Sequence, residues 1–183
     1  MMHTKDNIAV TWPDEFWNKF EWQSTVMTDA IPQDDVWDTP ARQKILALEE
    51  MYAKINLSAE ATKHYMSIRP PVPPQVQHIL DGYKTVDHNY NFLKLTAGHN
   101  IVKHYDTYAT FIKFNNVPEE QHSKIKRTII MLTEWRFGQI LQIDDVIESH
   151  WRVGDTYTWQ GDTWHGLGNF GLDDCVIMQI TWL

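Results

Sequence analysis

The hydrophobic pattern of the first 74 residues is helical or irregular. In TPARQKILALEEMYAKIN, residues 39–56, apolar positions recur three and four residues apart, which predicts an amphipathic helix. Its opening Thr-Pro pair suits the N-cap and the first helical position. The same reasoning predicts a helix over SAEATKHYMSI, residues 58–68, and a short helix within WPDEFWNKF, residues 12–20. The run RPPVPP at 69–74 then ends helical structure, because proline lacks the amide donor.

From residue 75 onward, the chain consists of short apolar runs that are rich in β-branched and aromatic residues and separated by Asn, Gly, Asp and Pro. These runs are FLKLTAG (92–98), IVKHYD (101–106), YATFIKF (108–114), RTIIMLTEW (127–135), GQILQID (138–144), DTYTW (155–159), DTWHGLG (162–168) and CVIMQITWL (175–183). Several short strands at close spacing predict a β-sandwich or a barrel.

Length and composition favour one globular domain. The chain has 183 residues, of which 43% are hydrophobic and 22% charged. We therefore predict a single domain over 1–183, with helical or irregular support in 1–74 and the β core in 75–183. Most of the nine tryptophans are expected to pack within that core.

Charge and cysteine content narrow the classes of partner. The formal net charge is −8, so the chain lacks the basic footprint of a nucleic-acid-binding protein. A single cysteine, Cys175, excludes an internal disulfide and any multi-cysteine zinc site. It also fits a reducing, cytoplasmic setting. No apolar run is long enough to cross a membrane, and the first residues do not resemble a secretory signal.

A histidine and an aspartate lie two residues apart in the predicted strand IVKHYD. Chance alone gives roughly 0.7 such pairs in a chain of this composition, so the pair by itself is weak evidence. On a strand, however, residues i and i+2 point to the same face. His104 and Asp106 are then placed to occupy two adjacent positions on a metal ion. The structural alternative is a hydrogen-bonded pair on the surface of a strand.

A third ligand is available in GDTWHGLGNF, where His165 follows a turn 61 residues after His104. Two histidines and one carboxylate on one face of a metal suit Fe(II), and they leave coordination positions for other ligands. His165 is otherwise a core histidine that bonds to the backbone. Two further histidines compete for the role: His150 would be a ligand if the strand register differs, whereas His99 is expected at a turn.

The order of these motifs resembles the Fe(II)/2-oxoglutarate-dependent dioxygenases, especially their small prolyl-hydroxylase-like members. The resemblance extends over residues 90–183 and rests on LTAGHNIVKHYDTY and WRVGDTYTWQGDTWHGLGNFG. It implies a mainly β fold with N-terminal helices around a double-stranded β-helix, a jelly-roll or cupin-like core. It also implies that His104, Asp106 and His165 are the catalytic metal ligands. The family uses Fe(II), 2-oxoglutarate and O2 to hydroxylate a small-molecule or peptide substrate.

One departure from the family concerns the cation that holds the far carboxylate of 2-oxoglutarate. Many members carry an arginine on the last strand, but this chain has Cys175 there and no Arg or Lys after His165. A buried carboxylate still needs a cation and hydrogen bonds. Some relatives supply the cation from a middle strand, where this chain offers Lys126 and Arg127. Strand alternation lets only one of these two point inward.

Three other residues are further candidates for contact with the co-substrate. Arg136 and Arg152 are the remaining basic candidates, and Asn169 either contacts the co-substrate or caps a turn. Two other functions remain open, and the missing arginine favours the first. One is a cupin-like metal oxygenase that does not use 2-oxoglutarate, and the other is a non-catalytic β-sandwich binding module.

Overall fold

A computed structural model describes residues 3–8, 16–25, 54, 59–68, 70–72, 74–161 and 163–183. The strands are β1 (Thr4–Asn7), β2 (Gln23–Thr25), β3 (His64–Ile68), β4 (His88–Leu95), β5 (Asn100–His104), β6 (Lys126–Met131), β7 (Gln139–Ile143), β8 (Val146–Glu148), β9 (Asp155–Gln160), β10 (His165–Asn169) and β11 (Cys175–Trp182). Two α-helices have described bounds, α1 (Pro74–Asp81) and α2 (Ala109–Asn115). Short 3₁₀ helices cover Phe16–Lys19, Ala59–Thr62 and Glu119–Lys124.

The strands from β4 to β11 form nested antiparallel pairs. β4 pairs with β11, β5 with β10, β6 with β9 and β7 with β8. The pairs alternate between two sheets, ordered β1-β9-β6-β11-β4-β3-β2 and β5-β10-β7-β8. Nested pairs distributed over two sheets are the strand order of a double-stranded β-helix. The prediction of a mainly β, jelly-roll core is therefore confirmed.

The core lies between the two sheets, where alternate residues of facing strands interdigitate. Its buried members are Leu93, Leu95, Ile129, Met131, Leu141, Ile143, Trp151, Tyr157, Trp159, Leu167, Cys175 and Ile177. The other face of the larger sheet packs against α1 through a second cluster that includes Phe92, Ile130 and Met178. Because both faces of β11 are covered, CVIMQITW is almost continuously apolar rather than alternating.

Two predicted elements differ from the structure. The run YATFIKF was predicted as a strand, but Ala109–Asn115 is helical and buries Phe111 against Val117 and Ile125. The preceding Tyr108 has a φ of 53°, which reverses the chain after β5 and removes the run from the sheet. The run SAEATKHYMSI was predicted as a helix, but it forms the 3₁₀ turn Ala59–Thr62 and then β3. Pairing of β3 with β4 overrides its local helix preference.

The N-terminal part of the chain adds strands as well as helical turns. β1 extends the larger sheet beside β9, and β3 and β2 extend it beside β4. Most of the predicted helix at 39–56 lies outside the described residues, although Lys54 is helical. Part of the predicted helix at 12–20 also lies outside them, and its described part is the turn Phe16–Lys19. Among the described residues, no helix is long and apolar enough to span a membrane.

Candidate metal centre

The pairing of β5 with β10 brings two histidines together from distant parts of the chain. His104 ends β5 and lies directly opposite His165 at the start of β10. Their ring centroids are 4.4 Å apart. The register of β10 against β5 shifts between His165 and Leu167, and such an irregularity changes the local direction of the strand. The two imidazoles thus meet at one end of the barrel interior.

Backbone carbonyls fix the tautomer of both histidines. His104 Nδ1 lies 2.8 Å from the carbonyl oxygen of Val102, and His165 Nδ1 lies 3.0 Å from that of Thr163. A carbonyl can only accept, so in each neutral ring Nδ1 carries the proton and donates it. The lone pair is then on Nε2. This orientation of a histidine by a backbone carbonyl is the usual support of a metal ligand.

Asp106 completes the group from just beyond the strand. β5 ends at His104, so Asp106 is not the strand residue that the sequence pattern predicted. Its side chain nevertheless reaches both histidines, with Oδ1 3.9 Å from His104 Nε2 and Oδ2 3.6 Å from His165 Nε2. One ligand atom from each of the three residues lies within 4.8 Å of the other two. Metal–ligand bonds of about 2.0 to 2.2 Å hold the ligand atoms of one ion closer together than this, so an ion would draw the three side chains inward.

Arg127 binds the same carboxylate from the opposite sheet. Its Nε donates to Asp106 Oδ2 at 2.9 Å, and its Nη2 lies 2.9 Å from the same oxygen. The ring of Tyr108 lies 5.5 Å from the guanidinium carbon. Arg127 therefore occupies Oδ2 of Asp106 and leaves Oδ1 without this partner.

Electrostatics keep the carboxylate ionised and His165 neutral. Burial raises the pKa of Asp106, but the Arg127 guanidinium and the two histidines lower it by more, so the pKa lies well below its usual range. Burial, and next the neighbouring His104, lower the pKa of His165 to about 4. Near neutral pH, the group therefore offers a charged oxygen and a neutral imidazole nitrogen. These are the forms in which carboxylates and histidines bind metals.

Trp159 and His64 add features that the sequence did not assign to the site. Trp159 lies opposite Arg127 in the sheet, and its ring centroid is 4.6 Å from that of His165. Its buried indole Nε1 has no hydrogen-bond partner in the part of the chain that the structure describes, so it is available to an acceptor on a bound ligand. His64 is a buried histidine whose pKa is lowered by burial and by the charge of His104. Both assignments depend on strand register, for which no local sequence signal exists.

Of the three residues predicted to bind the co-substrate, Arg127 lies at the triad, whereas Lys126 and Asn169 do not. Arg127 points into the barrel and contacts Asp106. Lys126 points to the opposite face of β6, where its Nζ lies 4.5 Å from the ring centroid of Trp182. Asn169 is at the far end of β10, where its side-chain amide donates to the carbonyls of Leu95 and Asp173. Lys126 and Asn169 are therefore not brought together with His104, Asp106 and His165.

The remaining candidates also lie away from this group. His150 stacks on Trp135 with ring centroids 4.0 Å apart, and His99 bonds Thr96 in the turn between β4 and β5. Arg136 and Arg152 are exposed. Cys175, at the position of the family arginine, is buried in the apolar core. Among the described residues, Arg127 is the basic side chain that contacts the triad.

Comparisons with known proteins give structural neighbours only. No protein-family model matches the chain, and no curated protein matches it. A predicted oxalate decarboxylase from Thermotoga maritima aligns at 11% identity with a TM-score of 0.43, over 66% of this chain and 81% of that chain. A cupin 2 conserved barrel domain protein from Rhodopseudomonas palustris aligns at 7% identity with a TM-score of 0.42, over 66% and 61%. A cupin domain from Bordetella pertussis aligns at 12% identity with a TM-score of 0.37, over 52% and 81%. With all three TM-scores below 0.5, the fold class rests on the strand order itself.

Proposed function

We propose that this chain is a cupin-like, mononuclear non-haem iron oxygenase in which His104, Asp106 and His165 hold Fe(II). The supporting observation is the convergence of two Nε2 atoms and one carboxylate, with both Nδ1 atoms engaged by backbone carbonyls. Two histidines and one carboxylate leave the opposite side of the ion for other ligands, as an oxygenase requires. When bound, the iron would supply the binding and activation of O2.

The protein residues would position this chemistry and shield it. β5 and β10 hold the two histidines in direct register, and Arg127 fixes the rotamer of Asp106 from the facing sheet. Below the triad, the apolar core that contains Ile129 and Ile177 excludes water. The buried Trp159 Nε1–H would orient a ligand that carries an acceptor. The substrate that we favour is an amino-acid or peptidyl side chain, as the sequence resemblance implies.

The contact between Arg127 and Asp106 bears on the co-substrate. For Arg127 to bind the far carboxylate of 2-oxoglutarate, it would have to leave Asp106 or share its guanidinium between the two. The position of the family arginine is the buried, uncharged Cys175. These observations favour an oxygenase that does not use 2-oxoglutarate over the dependent enzyme that the sequence resemblance implies.

Anaerobic calorimetry with Fe(II) tests the metal site. We expect one ion to bind per chain, and we expect His104→Ala, Asp106→Ala and His165→Ala to abolish binding. His150→Ala and Asp174→Ala are matched controls, because both residues are exposed and lie outside the triad. If the triad variants bind Fe(II) as well as the controls do, the assignment of the site is overturned. If neither the wild type nor any variant binds Fe(II), a non-catalytic module is favoured.

A second measurement separates the two enzymatic alternatives. After Fe(II) is bound, 2-oxoglutarate is added without O2 and the visible absorption spectrum is recorded, and succinate is then measured after O2 is admitted. An enzyme that does not use 2-oxoglutarate gives no new band and no succinate. A band that appears in the wild type and is missing in Asp106→Ala, together with succinate, would establish the 2-oxoglutarate-dependent reaction.

A further inference from the structure

A groove lies on the outer face of the larger sheet, on the side of β6 opposite to Arg127. It has a volume of about 740 Å³, within the size range of small-molecule sites. We call it the basic groove and define it by six of its lining residues, Lys84, Gln121, Lys124, Lys126, Gln160 and Trp182. None of these residues belongs to the candidate metal centre.

Strand alternation separates the two sites by a single layer of backbone. Lys126 lies opposite Gln160 of β9 and Trp182 of β11, and these three side chains face the groove. The next residue, Arg127, lies opposite Trp159 and points into the barrel. Successive residues of β6 therefore serve different sites, because side chains alternate between the faces of a sheet.

The charge of the groove is opposite to that of the whole chain. The groove is lined by three lysines, by Asp87 and by the terminal residue Leu183, so cations outnumber side-chain carboxylates there, whereas the chain has a net charge of −8. Lys84 forms an ion pair with Asp81 at 2.8 Å. Within the described residues, Lys124 and Lys126 have no carboxylate partner in an ion pair. Such a concave cluster of cations produces a local positive potential that attracts anions.

The floor of the groove is already held in place. The indole Nε1 of Trp182 donates to Thr128 Oγ1 at 3.0 Å, and the Gln160 amide donates to the carbonyl of Ser123 at 2.8 Å. Because these side chains are ordered by the protein, a ligand would not have to order them on binding. Lysine ammonium groups are donors only, so they match a ligand that presents several acceptor oxygens.

We propose that the basic groove binds a small multivalent oxyanion, either a phosphate ester or a polycarboxylate. The cluster of lysines selects for negative charge, and the volume limits the ligand to a small molecule. This site is independent of the proposed iron centre. Its ligand would lie against the outer face of the strand that carries Arg127.

Two tryptophans report on the two sites separately. In a titration with pyrophosphate, and in a parallel one with citrate, the indole ¹H–¹⁵N signal of Trp182 reports on the groove and that of Trp159 on the barrel interior. The full chain is studied without added metal, because both anions chelate divalent ions. We expect a saturable shift of the Trp182 signal with at least one anion, while the Trp159 signal stays in place. A response to pyrophosphate alone indicates phosphate esters, and a response to citrate alone indicates polycarboxylates.

Charge removal then tests the assignment. In Lys124→Met/Lys126→Met, we expect binding to weaken by at least about tenfold, because two charge-assisted contacts are lost. Lys113→Met is the matched control, since Lys113 is exposed on α2 and does not line the groove. The dispersion of the ¹H–¹⁵N spectrum verifies that each variant is folded. No shift of Trp182 with either anion, a shift of Trp159 alone, or equal affinity in the double variant would overturn the proposal.

Discussion

Arg127 determines the charge around Asp106. Both of its contacts go to one oxygen of that carboxylate, so a half-buried cation and a half-buried anion neutralise each other on the inner face of the barrel. Ion pairs of this kind contribute little net stability relative to apolar residues, but they become costly when one partner is removed. The pair therefore acts mainly to hold Asp106 ionised and in one orientation.

Replacement of Arg127 alone should reveal the cost of leaving the Asp106 carboxylate without its cation. We expect Arg127→Met to lower the free energy of unfolding of the metal-free protein by about 3 kcal/mol, because Asp106 keeps its charge without a partner. Urea denaturation measures the change. Lys126→Met, at the neighbouring position on the groove side of the strand, removes a cation without a carboxylate partner among the described residues, so the change should be below about 1 kcal/mol.

The double variant completes this experiment. Asp106→Asn/Arg127→Met removes both charges, so it should recover most of the stability lost in Arg127→Met. Equal losses in Arg127→Met and Lys126→Met would contradict the role assigned to the ion pair.

The Cys175 thiol should not react with alkylating reagents in the folded protein. Burial raises the pKa of its thiol to about 12, and the side chain lies in the apolar core. Because the thiolate is the reactive form, alkylation by iodoacetamide at pH 9 should be undetectable in native protein and complete in guanidinium chloride. Mass spectrometry after a timed quench measures the difference. Rapid native alkylation would show that this part of the core opens.

At the scale of strands, the metal centre depends on how closely β5 and β10 approach. A Cβ atom at Gly166 would lie 2.8 Å from the carbonyl oxygen of Ile101 and 3.0 Å from the amide nitrogen of Lys103. Both are backbone atoms of β5 and have little freedom to move. The absence of a side chain next to His165 thus permits the spacing that brings His104 within reach.

Gly166→Ala should therefore weaken the site without unfolding the protein. The added methyl group forces the two strands apart, and we expect Fe(II) affinity to fall by at least about tenfold, since changes in the groups that orient metal ligands commonly cost that much. Anaerobic calorimetry measures the affinity, and circular dichroism verifies the fold. Gly168→Ala is the control on the same strand, because its nearest contacts are side-chain atoms of Phe170 and Ile140. A loss of affinity as small as in this control would contradict the role of Gly166.

Strand content was predictable, but strand partnership was not. Runs such as RTIIMLTEW and CVIMQITWL carry the β-branched and aromatic residues of buried strands, and they include β6 and β11. YATFIKF has the same composition but begins at the left-handed Tyr108 and becomes helical. For the site, the spacing of His104 and Asp106 was near chance, and the third candidate ligand, His165, together with the order of the motifs indicated the triad. The contacts of Arg127 and Trp159 arise from register across β6 and β9, which local sequence does not encode.

For the whole molecule, the nested pairing makes most contacts long-range. The first strand of the core, β4, pairs with the last, β11, and among the four nested pairs only β7 and β8 are joined directly by a short connection. Chains of this topology must close long loops before their contacts become favourable, so they fold slowly. The candidate metal centre lies within this pattern, because His104 and His165 belong to the pair β5 and β10.

A metal ion bound by His104 and His165 would also cross-link two distant parts of the chain. It would tie together the ends of a loop that contains β6 to β9, so the strands within that loop could separate fully only after the ion is released. We expect saturating Fe(II), kept anaerobic, to slow unfolding in urea at least tenfold in the wild type and not at all in His165→Ala. Stopped-flow tryptophan fluorescence measures this rate, and equal rates with and without iron would contradict it. The supply of iron would then determine the lifetime of the folded protein against proteolysis as well as its oxygenase activity.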